Sequence, residues 1–346
     1  MALSDEADYV VGVDTHMDTH TAAVCDARGR AVSQRQVPAT TAGYADLLAW
    51  ASDAAGSGKV AWAVEGTRHY GLGLARYLAA EGQQVTEIDN TRHVGRRRAG
   101  KSDPIDAVRA ARELLSRPQP GQMRSDGDRE ALRLLMVDRD NAVHSCKTAR
   151  TVLTSVIVTA PDELREQLRH LTRERRARVC ASLPCPSGAG RKTRVLHQTV
   201  NRLGQRIVAL DQTAADIEAE IAAIVEELAP GLVAAEHGVG VLSAAQILLS
   251  WSHAGRIRSE AAFAMLSGTA PVPVSSGRTD RHRLNRLGDR QLNRALHIIA
   301  VTRMRNQPPT LAYVQRRRAE GKTDKEIRRC IKRYLARHLY RTLSRS

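Results

Sequence analysis

The fold is decided by the stretch VVGVDTHMDTH, residues 10–20, in which a short apolar run ends at a carboxylate. Residues 10–13 are apolar and are followed by polar residues, which is typical of a buried strand. Two further strand-like stretches follow, TAAVCDA at 21–27 and AVSQRQV at 31–37, with DARGR as a turn between them. Short connections of this kind predict three neighbouring antiparallel strands.

Helix-like and strand-like stretches alternate from residue 41 to residue 116. Helical patterns at 41–54, at 71–82 and after Lys101 alternate with the strand-like KVAWAVE at 59–65 and QVTEID at 84–89. This alternation predicts parallel strands joined by helices. Three antiparallel strands followed by parallel αβ units is the strand order of RNase H-like folds. We therefore predict an α/β domain of this kind over residues 1–125.

Four acidic residues stand where such a domain would bring carboxylates together. Asp14 and Glu65 each end an apolar run, and Asp103 and Asp106 lie three apart at the start of a helix, which places both on one side. Hard oxygen ligands suit Mg²⁺, and two such ions about 4 Å apart can assist phosphoryl transfer. The four acids are therefore candidate metal ligands and catalytic residues. Asp103 has an alternative explanation, because an Asp before Pro104 is also a good helix N-cap.

The charge of the chain is unevenly distributed. The formal net charge is +16, yet residues 1–90 hold 6 Lys and Arg against 12 Asp and Glu, and residues 91–346 hold 47 against 25. A basic body around an acidic centre suits the phosphate backbone of nucleic acid, although a merely basic soluble protein is the alternative. No apolar stretch approaches about 18 residues, so no membrane span or membrane partner is predicted. Five scattered cysteines favour a reducing cytoplasm.

The middle of the chain is helical, and its apolar residues form a long seam. Spacings of four and three alternate through Leu196, Val200, Leu203, Ile207, Leu210, Ala214, Ile217, Ile221, Ile224 and Leu228. A partner seam runs through Leu132, Leu135, Arg139, Ala142, Cys146, Ala149, Leu153 and Val156. This pattern predicts a coiled coil over residues 126–230, formed either within the chain or between two chains.

Two further segments complete the helical part. An arginine-rich insertion at 159–195 interrupts the two seams, and its RHLTRERRAR stretch either contacts nucleic acid or is a solvated helix face. Residues 231–346 are predicted to form a third, mostly helical domain. Its Gly-x-Gly turn at 238–240 leads into an apolar helix, and its Ser-Ser-Gly turn at 275–277 precedes a dense basic stretch.

Six motifs, taken in order and spacing, carry a resemblance to a known family. They are VGVDTH, VEGTRHYG, KSDPIDA, GVGVLSAAQIL, LSGTAPVPVSSG and NRLGDRQLNRAL. Together they resemble the DEDD transposases of the insertion-sequence one-hundred-ten family, the bridge-RNA-guided recombinases of mobile elements. The resemblance covers nearly the whole chain. It implies an N-terminal RuvC-like domain, a coiled coil, and a C-terminal transposase domain that carries a serine.

The resemblance also implies which residues act. The four acids of the family correspond to Asp14, Glu65, Asp103 and Asp106, and the family serine, which precedes a glycine, corresponds to Ser276. Mg²⁺-dependent cleavage by serine attack, a covalent phosphoserine intermediate and strand exchange are the implied chemistry. The neighbouring Ser275 and the water molecule of a simple nuclease are the alternative nucleophiles.

The implied partners are donor and target DNA, a structured guide (bridge) RNA, and a homodimer that assembles into a tetramer. The implied location is the bacterial cytoplasm, in association with the nucleoid. Two departures from the family pattern fall beside the acids, Arg68 for the usual glycine and Ser102 for the usual threonine. They put the turn after Glu65 in doubt but remove no carboxylate. Two alternative functions are a RuvC-like metal-dependent endonuclease and a non-catalytic nucleic-acid-binding protein.

Overall fold

The computed structural model describes residues 7–67, 69–88, 103–116, 127–252, 256–276, 279–283, 285 and 288–344. For residues 103, 275, 276 and 279–283 it describes the backbone alone. The chain forms two compact units, Met1–Arg124 and Ser125–Ser346. The finer division of the second unit at residue 230 stays a prediction.

The first unit is built on one mixed sheet. Its elements are β1 (Tyr9–Thr15), β2 (Thr19–Asp26), β3 (Ala31–Pro38), α1 (Thr41–Ala55), β4 (Val60–Glu65), α2 (Leu72–Ala80), β5 (Gln84–Ile88) and α3 (Asp103–Leu115). The strand order is β3-β2-β1-β4-β5. Strand β2 is antiparallel to both β1 and β3, whereas β1, β4 and β5 are parallel. The predicted strands and their directions are therefore confirmed.

Helices cover both faces of this sheet, and the alternation of side chains along each strand decides which face a residue joins. Val10 and Ala61 belong to the cluster that packs against α3. Val11 and Trp62, one position further along, belong to the opposite cluster with α1 and α2. Because both faces are buried, β1 and β4 are apolar throughout, as parallel strands in α/β proteins usually are.

The second unit is mostly helical. Its helices are α4 (Asp128–Val158), α5 (Asp162–Arg169), α6 (Arg173–Ala181), α7 (Arg191–Leu228), α8 (Leu232–Ala235), α9 (Val241–Trp251), α10 (Glu260–Leu266), α11 (Arg290–Asn306), α12 (Pro308–Ala319) and α13 (Asp324–Leu343). A single hairpin, β6 (Val272–Ser276) with β7 (Thr279–Arg283), lies between α10 and α11.

Helices α4 and α7 form a long antiparallel pair within the chain. The guanidinium of Arg139 on α4 donates to Glu218 on α7 at 2.7 Å, and the thiol of Cys146, further along α4, lies 3.1 Å from Asp211, further back on α7. The apolar residues of the predicted seams are buried or half-buried, and Ile207, near the middle of α7, is fully buried. Of the two interpretations of the seam, the structure shows the pairing inside one chain.

The insertion at 159–195 folds onto this pair as the helices α5 and α6. Helix α6 approaches α7 at Gly204, where an added Cβ would lie 2.4 Å from the amide nitrogen of Ala181. The Arg176 guanidinium donates to the main-chain oxygens of Leu168, Arg169 and Leu171 and so closes the end of α5. One arginine of the basic stretch is therefore structural.

Candidate active site

Strand register brings Asp14 and Glu65 side by side. In the parallel pair of β1 and β4, Val13 lies opposite Val64, so the next residues along each strand are the two acids. The Thr15 hydroxyl donates to the main-chain oxygen of Glu65 at 2.9 Å and ties the two strand ends together. Ligands of open α/β sheets bind at these carboxyl ends of parallel strands.

Side-chain alternation directs both acids to the face that α3 covers. Asp14 lies two residues beyond Gly12, and Glu65 lies two residues beyond Ala63, which packs in the α3 cluster. At Gly12 the helix touches the strand directly, because an added Cβ would lie 2.0 Å from the carbonyl oxygen of Ala107. Asp106 is the residue before Ala107, and this close approach places it over the end of β1.

Two of the predicted acids, Asp14 and Asp106, lie near enough to Glu65 to act on its ionisation. Burial raises the pKa of Glu65, and the charges of Asp14 and Asp106 raise it further, while His16 acts in the opposite direction. Nε2 of His16 lies 3.3 Å from Oδ2 of Asp14. The Arg109 guanidinium donates to Asp106 at 2.7 Å across one helical turn. Each outer carboxylate thus has its own basic neighbour.

The backbone places Asp103 at the first position of α3, three residues before Asp106, and its side chain lies outside the described residues. Among the side chains that are described, no three of His, Cys, Asp and Glu converge closely enough to form a ready metal site. Asp14, Glu65 and Asp106 are near enough for their charges to repel one another. Repulsion of this kind acts over longer distances than those at which three carboxylates coordinate one metal ion. An all-carboxylate set under mutual repulsion has the donor chemistry that a divalent cation fits.

The second unit carries the predicted nucleophile on the hairpin. Ser276 is the last residue of β6 and pairs with Thr279, and Ser275 pairs with Asp280. The two serines are therefore strand residues rather than turn residues. The strand pairing includes both serines, whereas the turn preference of Ser and Gly predicted a turn at these positions. Their side chains, and Gly277 and Arg278, lie outside the described residues.

A chain of two hydrogen bonds supports the base of this hairpin. The buried Lys332 ammonium on α13 donates to Oδ1 of Asn293 at 2.6 Å, and Nδ2 of Asn293 donates to the carbonyl of Ser267 at 2.6 Å. Ser267 follows α10 and leads the chain into β6. Burial lowers the pKa of Lys332, and the nearby Arg328 adds to this effect. The ordering of this segment thus depends on a lysine from the distant C-terminal helix.

Sequence reasoning missed His16 and Lys332. His16 was detectable, because it stands two residues after Asp14 and residues two apart on an extended chain share a face. Lys332 gave no signal, since it is one basic residue among many on α13. Only the packing of α11 against α13 separates it from the solvated arginines around it.

Comparisons with known proteins identify the family of this chain. Residues 11–160 match the family model of the DEDD transposases of IS110, and residues 232–315 match the model described as the transposase of the IS116/IS110/IS902 family. These matches define the class of protein: a DNA-processing enzyme, a transposase or recombinase. More specifically, the chain belongs to the IS110 family of transposases.

Two relatives support this assignment. The chain is 26% identical to the uncharacterized 42 kDa protein of insertion element IS900 from Mycobacterium paratuberculosis, over 90% of this chain and 89% of the relative. It is 35% identical to the uncharacterized 43.6 kDa protein of insertion element IS110 from Streptomyces coelicolor, over 38% of this chain and 33% of that protein. No helix in the described parts of the chain is long and apolar enough to cross a membrane.

Proposed function

We propose that this transposase is a site-specific recombinase that cleaves and rejoins DNA to move an insertion sequence, and that its first unit is an RNase H-like (RuvC-like) DEDD domain. One observation carries the proposal. The register of β1 and β4 sets Asp14 beside Glu65, and the contact of α3 at Gly12 brings Asp106 to the same face. Carboxylates gathered at strand ends suit phosphoryl transfer.

In this proposal Asp14, Glu65, Asp103 and Asp106 hold divalent cations, with Mg²⁺ as the metal. When bound, such a cation supplies positive charge that polarises the phosphate and favours the ionised form of an attacking hydroxyl. The role of the chain is to hold the carboxylates at fixed positions before the metal arrives. His16 orients Asp14 through its 3.3 Å contact, and Arg109 does the same for Asp106.

Ser276 is the proposed nucleophile. Its Oγ forms a bond to phosphorus, the bond from phosphorus to the leaving oxygen of the strand breaks, and the hydroxyl proton passes to a base or to solvent. The phosphoserine ester retains the bond energy that rejoining requires, whereas attack by water discards it. Arg278, Arg281 and Arg283 follow Ser276 in the sequence, and in this proposal they neutralise the strand.

The remaining parts of the proposal rest on the family resemblance. A structured bridge RNA pairs with donor and target DNA, and homodimers assemble into a tetramer in which the acids of one subunit serve the serine of another. The protein works in the bacterial cytoplasm, at the nucleoid. The basic excess of residues 91–346 supports binding to both kinds of nucleic acid.

The test is a recombination assay in which a protein–DNA adduct is followed on a denaturing gel. The adduct should disappear in Ser276→Ala, with recombination reduced about 10³-fold or more, and should persist in the matched control Ser275→Ala. Asp106→Asn should abolish the adduct although its serine is intact, and EDTA should act on the unaltered protein in the same way.

Two outcomes favour the alternative functions. Cleavage by Ser276→Ala without an adduct would identify a metal-dependent endonuclease that uses water. Binding of DNA by the unaltered protein with Mg²⁺ and guide RNA, but with no cleavage, would identify a non-catalytic nucleic-acid-binding protein.

A further inference from the structure

A small cavity lies between α12 and α13, and the side chains of two tyrosines line it. Its volume is about 220 Å³, below the roughly 300 Å³ at which pockets for drug-sized ligands begin. Tyr313 and Tyr334 form one wall, with ring centroids 5.8 Å apart and planes nearly perpendicular. Pro309, Ile331 and Leu335 supply the apolar lining. The cavity has room for one flat ring system.

The two tyrosines have different environments. Burial raises the pKa of the Tyr313 hydroxyl to about 12, and the charge and the hydrogen bond of Cys330 contribute. Tyr334 is 53% exposed, a large fraction for an aromatic side chain on a packed helix. Tyr313 is thus hydrogen-bonded within the protein, whereas the ring of Tyr334 is accessible to an incoming ligand.

The polar edge of the cavity is fixed in advance. Arg303 lies at the edge and contacts Glu236 at 3.0 Å, and it also donates to the carbonyl of His237 at 2.7 Å. His338, on the same edge, pairs with the same Glu236. Thr310 adds a hydroxyl. Convergent polar groups beside an apolar wall are what a heterocycle with donors and acceptors at its rim requires.

Two arginines lie over the ring of Tyr313. The guanidinium carbons of Arg316 and Arg317 lie 5.5 and 5.9 Å from the centroid of the Tyr313 ring. The whole unit, residues 125–346, carries 38 Lys and Arg against 22 Asp and Glu. A ligand with a flat ring and an attached phosphate therefore matches both the cavity and its border.

We propose that this cavity binds one unpaired nucleobase of a nucleic-acid strand, with the base stacked on Tyr334 and its edge read by Arg303 and His338. The base must be unpaired, since the faces of bases in a duplex are covered by their neighbours. The adjacent Arg316 takes the phosphate of the same nucleotide. The inference rests on the proposed function only in requiring that the protein handles nucleic acid, and it involves none of the catalytic residues.

The experiment measures binding in EDTA, where no strand is cut, with a 20-nucleotide single-stranded DNA, the same sequence as RNA, and the blunt DNA duplex. Tyr334→Ala should weaken single-strand binding about tenfold and leave duplex binding unchanged. The slope of log K against log salt should stay the same, because no phosphate contact is lost. Tyr334→Phe should retain most of the affinity, since the ring remains.

Two variants serve as controls. Leu134→Ala removes a large apolar side chain of α4 that is 55% exposed and should change nothing. Arg316→Ala should weaken single-strand binding and lower its salt slope by about one, because it removes the phosphate contact that Tyr334→Ala keeps. The DNA and RNA arms identify the source of the base, and an effect in either arm supports the proposal.

The proposal is overturned if Tyr334→Ala binds single strands as tightly as the unaltered protein, or if it loses single strands and duplex equally. Failure of the proposed function is a separate result. A protein that forms no serine adduct but loses single-strand affinity on Tyr334→Ala would keep the base site and lose the recombinase mechanism.

Discussion

The two units of the chain differ in charge as sharply as in fold. Residues 1–124 contain 15 Lys and Arg and 15 Asp and Glu, whereas residues 125–346 contain 38 and 22. The neutral α/β unit carries the gathered carboxylates, and the basic helical unit carries the hairpin serine. A metal site needs local negative charge, and a polyanion needs a broad positive surface. Keeping these on different units lets each requirement be met without weakening the other.

The units also differ in how they position a residue. In the sheet, a one-residue shift of register would move Asp14 or Glu65 to the opposite face. In the α4–α7 pair, a residue near the seam stays near it through small rotations, because the apolar stripe is wide. The positions of the acids in the first unit thus depend on strand register, which changes in whole-residue steps. Positions in the helical pair depend on packing, which tolerates small rotations. Three substitutions test this difference.

The largest effect is expected at Gly12. A Cβ in Gly12→Ala would lie 2.0 Å from the carbonyl oxygen of Ala107 and 2.5 Å from the amide nitrogen of Ala111, so α3 and β1 must shift apart. We expect a loss of roughly 4 kcal/mol in the free energy of unfolding. Hydrogen exchange should show the loss in β1, β4 and α3.

Gly190→Ala is the matched control, because nothing lies within 4 Å of its added Cβ. Because Gly190 is the N-cap residue of α7, the substitution should cost less than about 1 kcal/mol and leave exchange in β1, β4 and α3 unchanged. Equal loss of protection in α9 and α11 of the Gly12→Ala protein would show that the stability of the two units is shared, and would remove the contrast between them.

A smaller loss is expected in the helical unit. Ile221 is fully buried in the core that α7 shares with α4 and α9, and Ile221→Ala should cost about 3 kcal/mol. Val208→Ala, on an outer position of the same helix that is 38% exposed, should cost less than about 1 kcal/mol. Because the seam closes within one chain, the loss caused by Ile221→Ala should be the same at low and at high protein concentration. A loss that changes with concentration would assign the seam to a contact between chains.

Much of the first unit was predictable because its signals are local. Apolar runs ending in Asp14 and Glu65 identify both strand ends. The short connections between the first three strands indicate antiparallel pairing, and the longer helical connections that follow indicate parallel strands. The contact at Gly12 was not predictable, since a glycine in a strand does not indicate which helix will pack against it. Without that contact Asp106 is one helical carboxylate among several. The roles of Asp103 and Ser276 stay predictions.

The second unit divides in the same way. Its long seams were predicted, because apolar residues alternate at spacings of three and four over a segment too long for this to arise by chance. The tyrosine cavity was not, since Tyr313 and Tyr334 lie on different helices and meet only through the angle between α12 and α13. Local periodicity reveals which face of a helix is buried, but not which two faces leave a gap.

The smallest effect is expected at Glu65, and it concerns pH. The folded-state pKa of Glu65 is raised by burial and then by Asp14 and Asp106, so the folded state holds this proton more tightly than the unfolded state does. The resulting stabilisation is fully present below the unfolded pKa of about 4.5 and is lost as the pH rises through the higher folded value. Glu65→Gln has no such proton to lose. In EDTA at pH 7 it should therefore be as stable as the unaltered protein or more stable, by up to about 1 kcal/mol.

The measurement is thermal unfolding of both proteins between pH 4 and pH 8, roughly the window in which carboxyl groups of this kind titrate, with Glu81→Gln on the exposed end of α2 as the control. The Glu65→Gln curve should rise relative to the unaltered protein as the pH increases, and the Glu81→Gln curve should not. A divalent cation should reverse the order, because binding to the folded state stabilises the protein that retains all four carboxylates. If Glu65→Gln is the less stable protein in EDTA at pH 7, the carboxylates are held by their basic neighbours rather than strained against one another, and the first unit is not poised for a metal.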